Sequence, residues 1–164
     1  MQNEILTGAE LLQAQAWLEQ AAIIARKSHC CRRRCGSILV DRTGNILAAA
    51  ENKLPGKPGQ AEIHCNPYQL HEDFKSDKGC CIHSEERLVM QALAEGKDFA
   101  GSTLVFTSVD EAGQRLQSGR PYCTICSKIA LEAGVNWWIL EHEEGIIRYE
   151  AAAYNTISFS YSGG

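Results

Sequence analysis

Two short stretches with metal-ligand side chains constrain this chain more than any other feature. The first contains His83 and, two residues later, Glu85, and the second contains Cys123 and Cys126. Each stretch precedes a run of apolar residues at helical spacing, so both pairs are expected at helix N-termini, where the helix dipole favours thiolates. One histidine and two cysteines are suitable ligands for Zn²⁺, and three protein ligands leave a fourth position open, as in catalytic sites. The sequence therefore predicts a catalytic zinc centre.

Each of these residues also has an ordinary explanation. His83 could be an exposed histidine at a helix end, and two cysteines three residues apart could be buried thiols or a redox pair. Glu85 could be a first-turn glutamate stabilised by the helix dipole, which is how we interpret its neighbour Glu86. The presence of both pairs in one chain favours the metal site, because a redox pair does not require a distant His-x-Glu sequence.

Periodicity along the chain predicts three helices and four strands. Helices are expected over residues 8–27 with Thr7 as the N-cap, 83–95 and 123–133, and strands over 38–40, 46–48, 103–107 and 136–140. The order α-β-β-α-β-α-β implies an α/β fold, a three-layer α/β/α sandwich with a mixed central sheet and the second and third helices on one face. We expect a single domain over residues 1–164 with a frayed tail at 158–164, and residues 146–157 fit either a strand or a helix.

Composition and charge limit the classes of function. The chain has 164 residues, 45% hydrophobic and 22% charged, as is typical of a soluble globular protein. Its net charge of −4 argues against a broad surface for polyanions but allows a local basic pocket for one phosphate. The sequence has neither an apolar run of about 18 residues nor a recognisable signal peptide, so we expect a cytoplasmic protein with no membrane segment.

The His-x-Glu and Cys-x-x-Cys pairs resemble the signature of the zinc-dependent cytidine and deoxycytidylate deaminase superfamily. The resemblance covers roughly residues 11 to 141 and is closest to deoxycytidylate deaminases. Further short segments are similar to that family: Ala25–Ser28, Cys35–Val40, Asn52 with Pro55–Gly56, Ala133–Val135 and Trp137–Ile139. The resemblance implies a cytidine deaminase-like fold, a homo-oligomer and a small-molecule substrate.

The resemblance also implies roles for the site residues. Zn²⁺ would be held by His83, Cys123 and Cys126, and Glu85 would shuttle protons during hydrolytic deamination of a cytosine nucleotide or nucleoside, dCMP being favoured. Asn52 would contact the sugar, although an asparagine before Pro and Gly is also a common turn residue. The backbone N–H of Ser84 would hold the base.

A substrate phosphate would need a basic partner, and several arginines are candidates. Arg26, Lys27 and the run Arg32–Arg34 precede the first strand, and Arg115 and Arg120 lie in the polar segment 108–120. We single out Arg34, Arg115 and Arg120 as phosphate contacts, while the alternative is a solvated charged face. Two features depart from the family pattern: segment 108–120 is longer than in the family, and Tyr122 stands where the family usually has proline.

The other cysteines suggest a second, structural zinc. Eight cysteines without an export signal indicate reduced thiols or metal ligands, not disulfides. A closed site that orders the long segment 52–80 could be formed by Cys30, Cys65, His71 and Cys80, with Cys31 and Cys81 as alternative ligands. This arrangement resembles some phage-type deoxycytidylate deaminases, which carry a structural zinc. Buried free thiols are the alternative, and Cys35 is expected in a core strand.

Two other functions are compatible with the motifs. A polynucleotide deaminase, acting on cytosine or adenine in single-stranded DNA or RNA, would carry the same zinc signature but needs an electropositive channel and exposed aromatic residues. The acidic balance makes nucleic acid the less favoured partner. A non-catalytic zinc module would replace the open position with a fourth protein ligand.

Overall fold

The computed structural model describes residues 3–60 and 79–160, which contain seven strands and four helices. The strands are β1 (Asn3–Ile5), β2 (Arg34–Val40), β3 (Ile46–Glu51), β4 (Thr103–Val109), β5 (Arg115–Leu116), β6 (Trp137–His142) and β7 (Gly145–Glu150). The helices are α1 (Gly8–Ala25), α2 (Ser84–Ala94), α3 (Thr124–Ala133) and α4 (Ala151–Ser160). None of these helices has the length and apolar character needed to cross a membrane.

The strands form one mixed sheet in the order β1-β7-β6-β4-β2-β3, and the short β5 pairs with β4. Strands β4 and β6 are parallel and are connected through α3, whereas the other strand pairs are antiparallel. The central strands β2, β4 and β6 are mostly apolar and buried, as expected for strands covered on both faces. The predicted three-layer α/β/α sandwich with a mixed sheet is confirmed.

Helix α1 packs on one face of the sheet, where Ala14 and Leu18 form a buried cluster with Ile38. The closest approach is at Gly36 of β2. A Cβ atom at this position would lie 2.3 Å from the carbonyl oxygen of Ala21, so that any larger residue would push α1 away from the sheet.

Helices α2, α3 and α4 pack on the opposite face, so the prediction that the second and third helices share a face is confirmed. Leu88, Ala130, Trp138 and Tyr154 belong to one buried cluster there. The rings of Trp138 and Tyr154 are stacked with centroids 3.9 Å apart and planes inclined by 15°. This stacking fixes α4 against the centre of the sheet.

The first helix is shorter than predicted. It ends at Ala25, because the backbone N–H groups of Lys27 and Ser28 bond three residues back in a tighter turn. Thr7 occupies the N-cap position as expected, but its hydroxyl makes no capping hydrogen bond.

The ambiguous segment 146–157 contains both a strand and a helix, since β7 ends at Glu150 and α4 begins at Ala151. The expected fraying from Ser158 is wrong as far as Ser160, where α4 ends. Ser158 is buried, and its hydroxyl is satisfied there: it donates to the Asn155 carbonyl (2.7 Å) and lies 3.0 Å from the Ser127 hydroxyl on α3. Residues 161–164 lie outside the described residues.

The polar segment 108–120 forms a hairpin that ends with β5, followed by a stretch over residues 117–120 that we call the strap. The sequence indicated only a loop. Strand β4 continues to Val109, a tight turn follows, and the Asp110 N–H donates to the Gln114 carbonyl at 2.9 Å. After β5, the Ser118 N–H donates to the carbonyl of Glu141 on β6 at 2.7 Å. These backbone bonds fix the segment at both ends.

Candidate metal centre and active-site cavity

The three predicted metal ligands converge at the N-termini of α2 and α3. His83 is the N-cap of α2, Cys123 is the N-cap of α3, and Cys126 lies in the first turn of α3. His83 Nδ1 is 3.1 Å from Cys126 Sγ and 3.3 Å from Cys123 Sγ, and the two sulfur atoms are 2.9 Å apart. Among the described residues this is the one group of three or more such side chains close enough to hold a metal ion.

The donor set and its environment fit Zn²⁺. One imidazole nitrogen and two sulfurs match the ligand types of catalytic zinc sites with an open fourth position. A hydrogen bond from Cys126 holds the pKa of the Cys123 thiol well below its usual range, and the His83 ring acts in the same direction. The site therefore favours a thiolate, which is the form that binds metal.

Glu85 lies beside these ligands in the first turn of α2 and is only 7% exposed. Burial, reinforced by negative charge on Cys123, raises the pKa of its carboxyl to about 7. Glu86 has a different position, since its Oε1 accepts a hydrogen bond from the backbone N–H of His83 at 3.3 Å. Glu86 thus caps the helix, in agreement with its interpretation as an ordinary first-turn glutamate.

The Ser84 side chain is also hydrogen-bonded within the site. It is fully buried, its hydroxyl lies 2.7 Å from the Ser37 hydroxyl on β2, and it donates to Glu85 Oε2 at 3.1 Å. The family resemblance assigns a role only to the backbone N–H of Ser84, and the side-chain contacts are an addition to it.

Asn52 is buried and tied to neighbouring loops. Its Oδ1 accepts hydrogen bonds from the Ser28 hydroxyl (2.6 Å) and from the Cys35 N–H (2.9 Å), and its Nδ2 donates to the Arg33 carbonyl (2.9 Å). An amide Nδ2 carries two hydrogens, so one remains for a ligand. Asn52 also lines the cavity described next, and its side chain can therefore serve both the loop and a ligand.

A cavity of about 950 Å³ is lined by three residues of the metal centre, His83, Glu85 and Cys123. This volume lies within the range of small-molecule sites. We call His83, Glu85, Cys123 and Cys126 the helix-end cluster. The cavity is also lined by three exposed arginines, which we call the cationic rim: Arg32, Arg33 and Arg120.

Comparison with known proteins agrees with this geometry. The family model for the cytidine and deoxycytidylate deaminase zinc-binding region matches residues 12–141, which is most of the chain. The chain belongs to this family. As a member of this deaminase family it is a zinc-dependent hydrolase that deaminates a pyrimidine, and the helix-end cluster is compatible with its catalytic zinc.

Solved structures of similar fold include both branches named in the family description. The apo dCMP deaminase of cyanophage S-TIM5 is 22% identical, with a TM-score of 0.54 over 79% of this chain and 81% of that one. A structure of the S-TIM5 enzyme in complex with dCMP and dUMP is 23% identical, with a TM-score of 0.51 over 80% of each chain. The cytidine deaminase of Burkholderia pseudomallei is 15% identical, with a TM-score of 0.57 over 85% of this chain and 94% of that one. At these identities the likeness establishes the deaminase fold without distinguishing the substrates. A comparison with curated protein sequences finds no match.

Two of the three arginines predicted to contact phosphate lie elsewhere in this deaminase. Arg34 donates to the backbone carbonyls of Asp110 and Glu111 and thereby holds the β4–β5 turn. Arg115 forms an ion pair with Glu141, with Nε 3.2 Å from Oε2. Neither residue lines the cavity, so the structure does not bring them to the site, and phosphate contact by Arg34 or Arg115 stays a prediction.

The other arginines before β2 also fall into two groups, one bound to the β4–β5 turn and one at the cavity. Arg26 donates from Nε to the Gly113 carbonyl at 2.9 Å and so holds the same turn as Arg34. Arg33 donates to the Ser108 hydroxyl at 3.1 Å while lining the cavity. Arg120, the third predicted phosphate contact, does line the cavity. It makes no hydrogen bond or ion pair with another side chain in residues 3–60 and 79–160.

The second zinc site stays a prediction. Cys30 and Cys80 both line the cavity of the deaminase, as does Cys81. The other two predicted ligands, Cys65 and His71, lie outside the described residues.

Sequence reasoning missed several residues of the site: the lining residues Phe106, Ser118, Leu140 and Tyr154, and Ser37, which lies behind the cavity surface in hydrogen-bond contact with Ser84. Tyr154 comes from α4, whose existence the apolar pattern left undecided. Burial and the negative charges of Glu85 and the two metal-ligand cysteines raise the pKa of the Tyr154 phenol. No sequence motif marked these positions, because their placement depends on how α4 and the strap pack.

Proposed function

We propose that this deaminase acts on a free cytosine nucleotide or nucleoside, with dCMP as the favoured substrate. The observation that carries the proposal is that three members of the helix-end cluster, His83, Glu85 and Cys123, line one cavity with Arg120, a cation that has no ion-pair partner among the described residues. The cavity thus offers a reacting centre for the base and a partner for a phosphate.

The proposed reaction converts the exocyclic amine of cytosine into a carbonyl and releases ammonia. Zn²⁺ held by His83, Cys123 and Cys126 would lower the pKa of water enough to supply a nucleophile near neutral pH. Glu85 accepts a proton from the attacking water and delivers it to N3 of the pyrimidine. The same carboxyl then takes up the second proton of that water and protonates the departing amine.

Proton transfer of this kind requires a carboxyl that gains and loses a proton at the working pH. Burial of Glu85 serves this purpose, because desolvation disfavours its charged form. The Ser84 backbone N–H is assigned to hold the base, and the remaining Nδ2 hydrogen of Asn52 is assigned to the sugar.

Nucleotide preference would come from the cationic rim. Arg120 is exposed at the cavity and has no competing partner in the described part of the chain, so its guanidinium can pair with a phosphate in two parallel hydrogen bonds. Arg115 provides a matched control, because it lies in the same segment 108–120 but is paired with Glu141 and, 3.7 Å away, with Glu19.

The test is ammonia release by the zinc-loaded protein with cytosine, cytidine, deoxycytidine, CMP, dCMP and single-stranded oligonucleotides. We expect turnover of dCMP, with kcat/KM above that of deoxycytidine. In Arg120→Ala we expect kcat/KM for dCMP to fall by a factor that corresponds to about 1.5–3 kcal/mol, with little change for deoxycytidine. Arg115→Ala should leave the ratio of the two substrates as in the wild type.

Equal rates on dCMP and deoxycytidine in the wild type would replace the nucleotide proposal with a nucleoside or base deaminase. Turnover of oligonucleotides alone, falling steeply with salt, would favour the polynucleotide function. Zinc binding without turnover of any of these compounds would indicate a non-catalytic module.

The proposal includes three broader features that the sequence suggested: one domain over residues 1–164, a cytoplasmic location and a homo-oligomer. Exposed apolar side chains on α2, α3 and α4 support self-association: Met90, Leu93, Leu131 and Phe159. Analytical ultracentrifugation would measure the assembly, and a monomer at micromolar concentration would contradict it.

A further inference from the structure

A chain of hydroxyl groups connects the central sheet to the Glu85 carboxylate. Ser37 is the fourth residue of β2, and its side chain lies on the α2 face because the preceding residue, Gly36, faces α1. Its Oγ is 2.7 Å from Ser84 Oγ, which in turn donates to Glu85 Oε2 at 3.1 Å. The chain therefore runs from the middle of a strand to the predicted proton shuttle.

Both hydroxyl groups are fully buried. Burying a hydroxyl is unfavourable unless it is hydrogen-bonded, and here each serine supplies the partner that the other needs. If Ser84 donates its proton to Oε2, its oxygen accepts from Ser37, so the direction of the whole chain is set by the carboxylate. No side chain in the described ranges donates to the other oxygen, Oε1.

We propose that Ser84 and Ser37 are positioning residues that hold one oxygen of Glu85, so that the other oxygen exchanges protons with water and substrate. The inference rests on the proposed function of Glu85 and adds two residues to it. Ser84 is in direct contact with the carboxylate, and Ser37 acts through Ser84. The carboxylate is thereby fixed to the rigid sheet as well as to the first turn of α2.

The first test compares Ser84→Ala and Ser37→Ala with the wild type in kcat, KM and zinc content on the best substrate found. A lost hydrogen bond to a charged group should lower kcat of Ser84→Ala about ten- to a hundredfold, with KM and zinc content nearly unchanged. Ser37→Ala should show a smaller loss of kcat. The double variant should resemble Ser84→Ala alone, because Ser37 has no route to Glu85 without Ser84.

Two further variants separate positioning from general stability. Ser84→Thr keeps the hydroxyl and should restore most of kcat. Ser102→Ala is the matched control, because Ser102 is also a fully buried serine, its hydroxyl has no hydrogen-bond partner among residues 3–60 and 79–160, and it does not line the cavity. Its kcat should equal that of the wild type.

A crystal structure of zinc-loaded Ser84→Ala gives a readout independent of activity. We expect the Glu85 carboxylate to leave its wild-type rotamer or to occupy several. An unchanged carboxylate, a wild-type kcat in Ser84→Ala, or additive losses in the double variant would overturn the inference. Absence of turnover in the wild type would instead remove the proposed function, and the crystal structure would still decide the positioning role.

Discussion

The cationic rim lines the same cavity as His83, Glu85 and Cys123 of the helix-end cluster, but rim and cluster are held in opposite ways. Glu85 and the two cysteines of the cluster are buried, and each is fixed by hydrogen bonds at the start of α2 or α3. The three arginines of the rim are exposed, and they come from the loop before β2 and from the strap. One region is preorganised, and the other is accessible to solvent.

This difference indicates that the cluster carries out the chemistry and the rim recognises the substrate. Preorganised groups in a dry environment stabilise a transition state effectively, because they need no rearrangement during the reaction. Exposed cations suit recognition of a charged group that enters from water, at an energy reduced by solvent screening. We therefore expect variants of the cluster to affect every substrate and variants of the rim to affect phosphorylated ones.

The largest effect is expected when the cluster loses its sulfur ligands. Cys123→Ala/Cys126→Ala should lower zinc content by one equivalent per chain and abolish deamination of all substrates, because one histidine cannot retain the metal. Elemental analysis with parallel activity assays measures both quantities. Cys35→Ala is the control, since this cavity cysteine is outside the cluster and should keep the zinc.

Zinc that remains bound to the double variant would support the second site at Cys30, Cys65, His71 and Cys80. A wild-type ratio of one that falls to zero would exclude it. Full zinc content in the double variant would contradict the assignment of the helix-end cluster.

An intermediate effect is expected at Asn52, which links the loop carrying the rim to the interior. Asn52→Ala removes the side-chain partner of the Cys35 N–H and of the Arg33 carbonyl, while the Ser28 hydroxyl keeps the backbone carbonyl of residue 52, and we expect the free energy of unfolding to fall by about 1–3 kcal/mol. Zinc content should be unchanged. Urea denaturation measures the effect, and a variant as stable as the wild type would show that these bonds contribute little.

The smallest effect is expected at Arg34, whose partners are carbonyls of the β4–β5 turn. Arg34→Ala should lower the free energy of unfolding by about 0.5–1.5 kcal/mol. Unlike Arg120→Ala, it should leave the ratio of kcat/KM for dCMP and deoxycytidine unchanged. A selective loss of kcat/KM on dCMP would show that Arg34 contacts the substrate phosphate. It would contradict the distinction between Arg34 and Arg120.

The cluster could be predicted because its geometry is mostly local. Cys123 and Cys126 lie on one side of a first helical turn, and His83 and Glu85 occupy the start of another helix, so sequence spacing nearly determines their placement. The central strands and the three-layer arrangement followed from apolar runs and element order in the same manner.

The arginines could not be assigned in this way. Arg34 and Arg26 are bound by carbonyls of a hairpin about 80 residues away, and nothing in their own neighbourhood indicates that contact. The Ser37–Ser84 bond likewise joins residues 47 positions apart. Helix α4 was left undecided because its apolar run follows β7 without a break, so periodicity could not separate the two elements.

The central claim is that Glu85 performs the proton transfers while the ligands hold the metal, and Glu85→Gln tests it most directly. The substitution keeps the shape of the side chain but removes the ionisable group. We measure zinc per chain and kcat on dCMP for this variant and the wild type. The account predicts equal zinc content and a loss in kcat of about 10²–10⁴-fold. A zinc-loaded Glu85→Gln that turns over at the wild-type rate would contradict it.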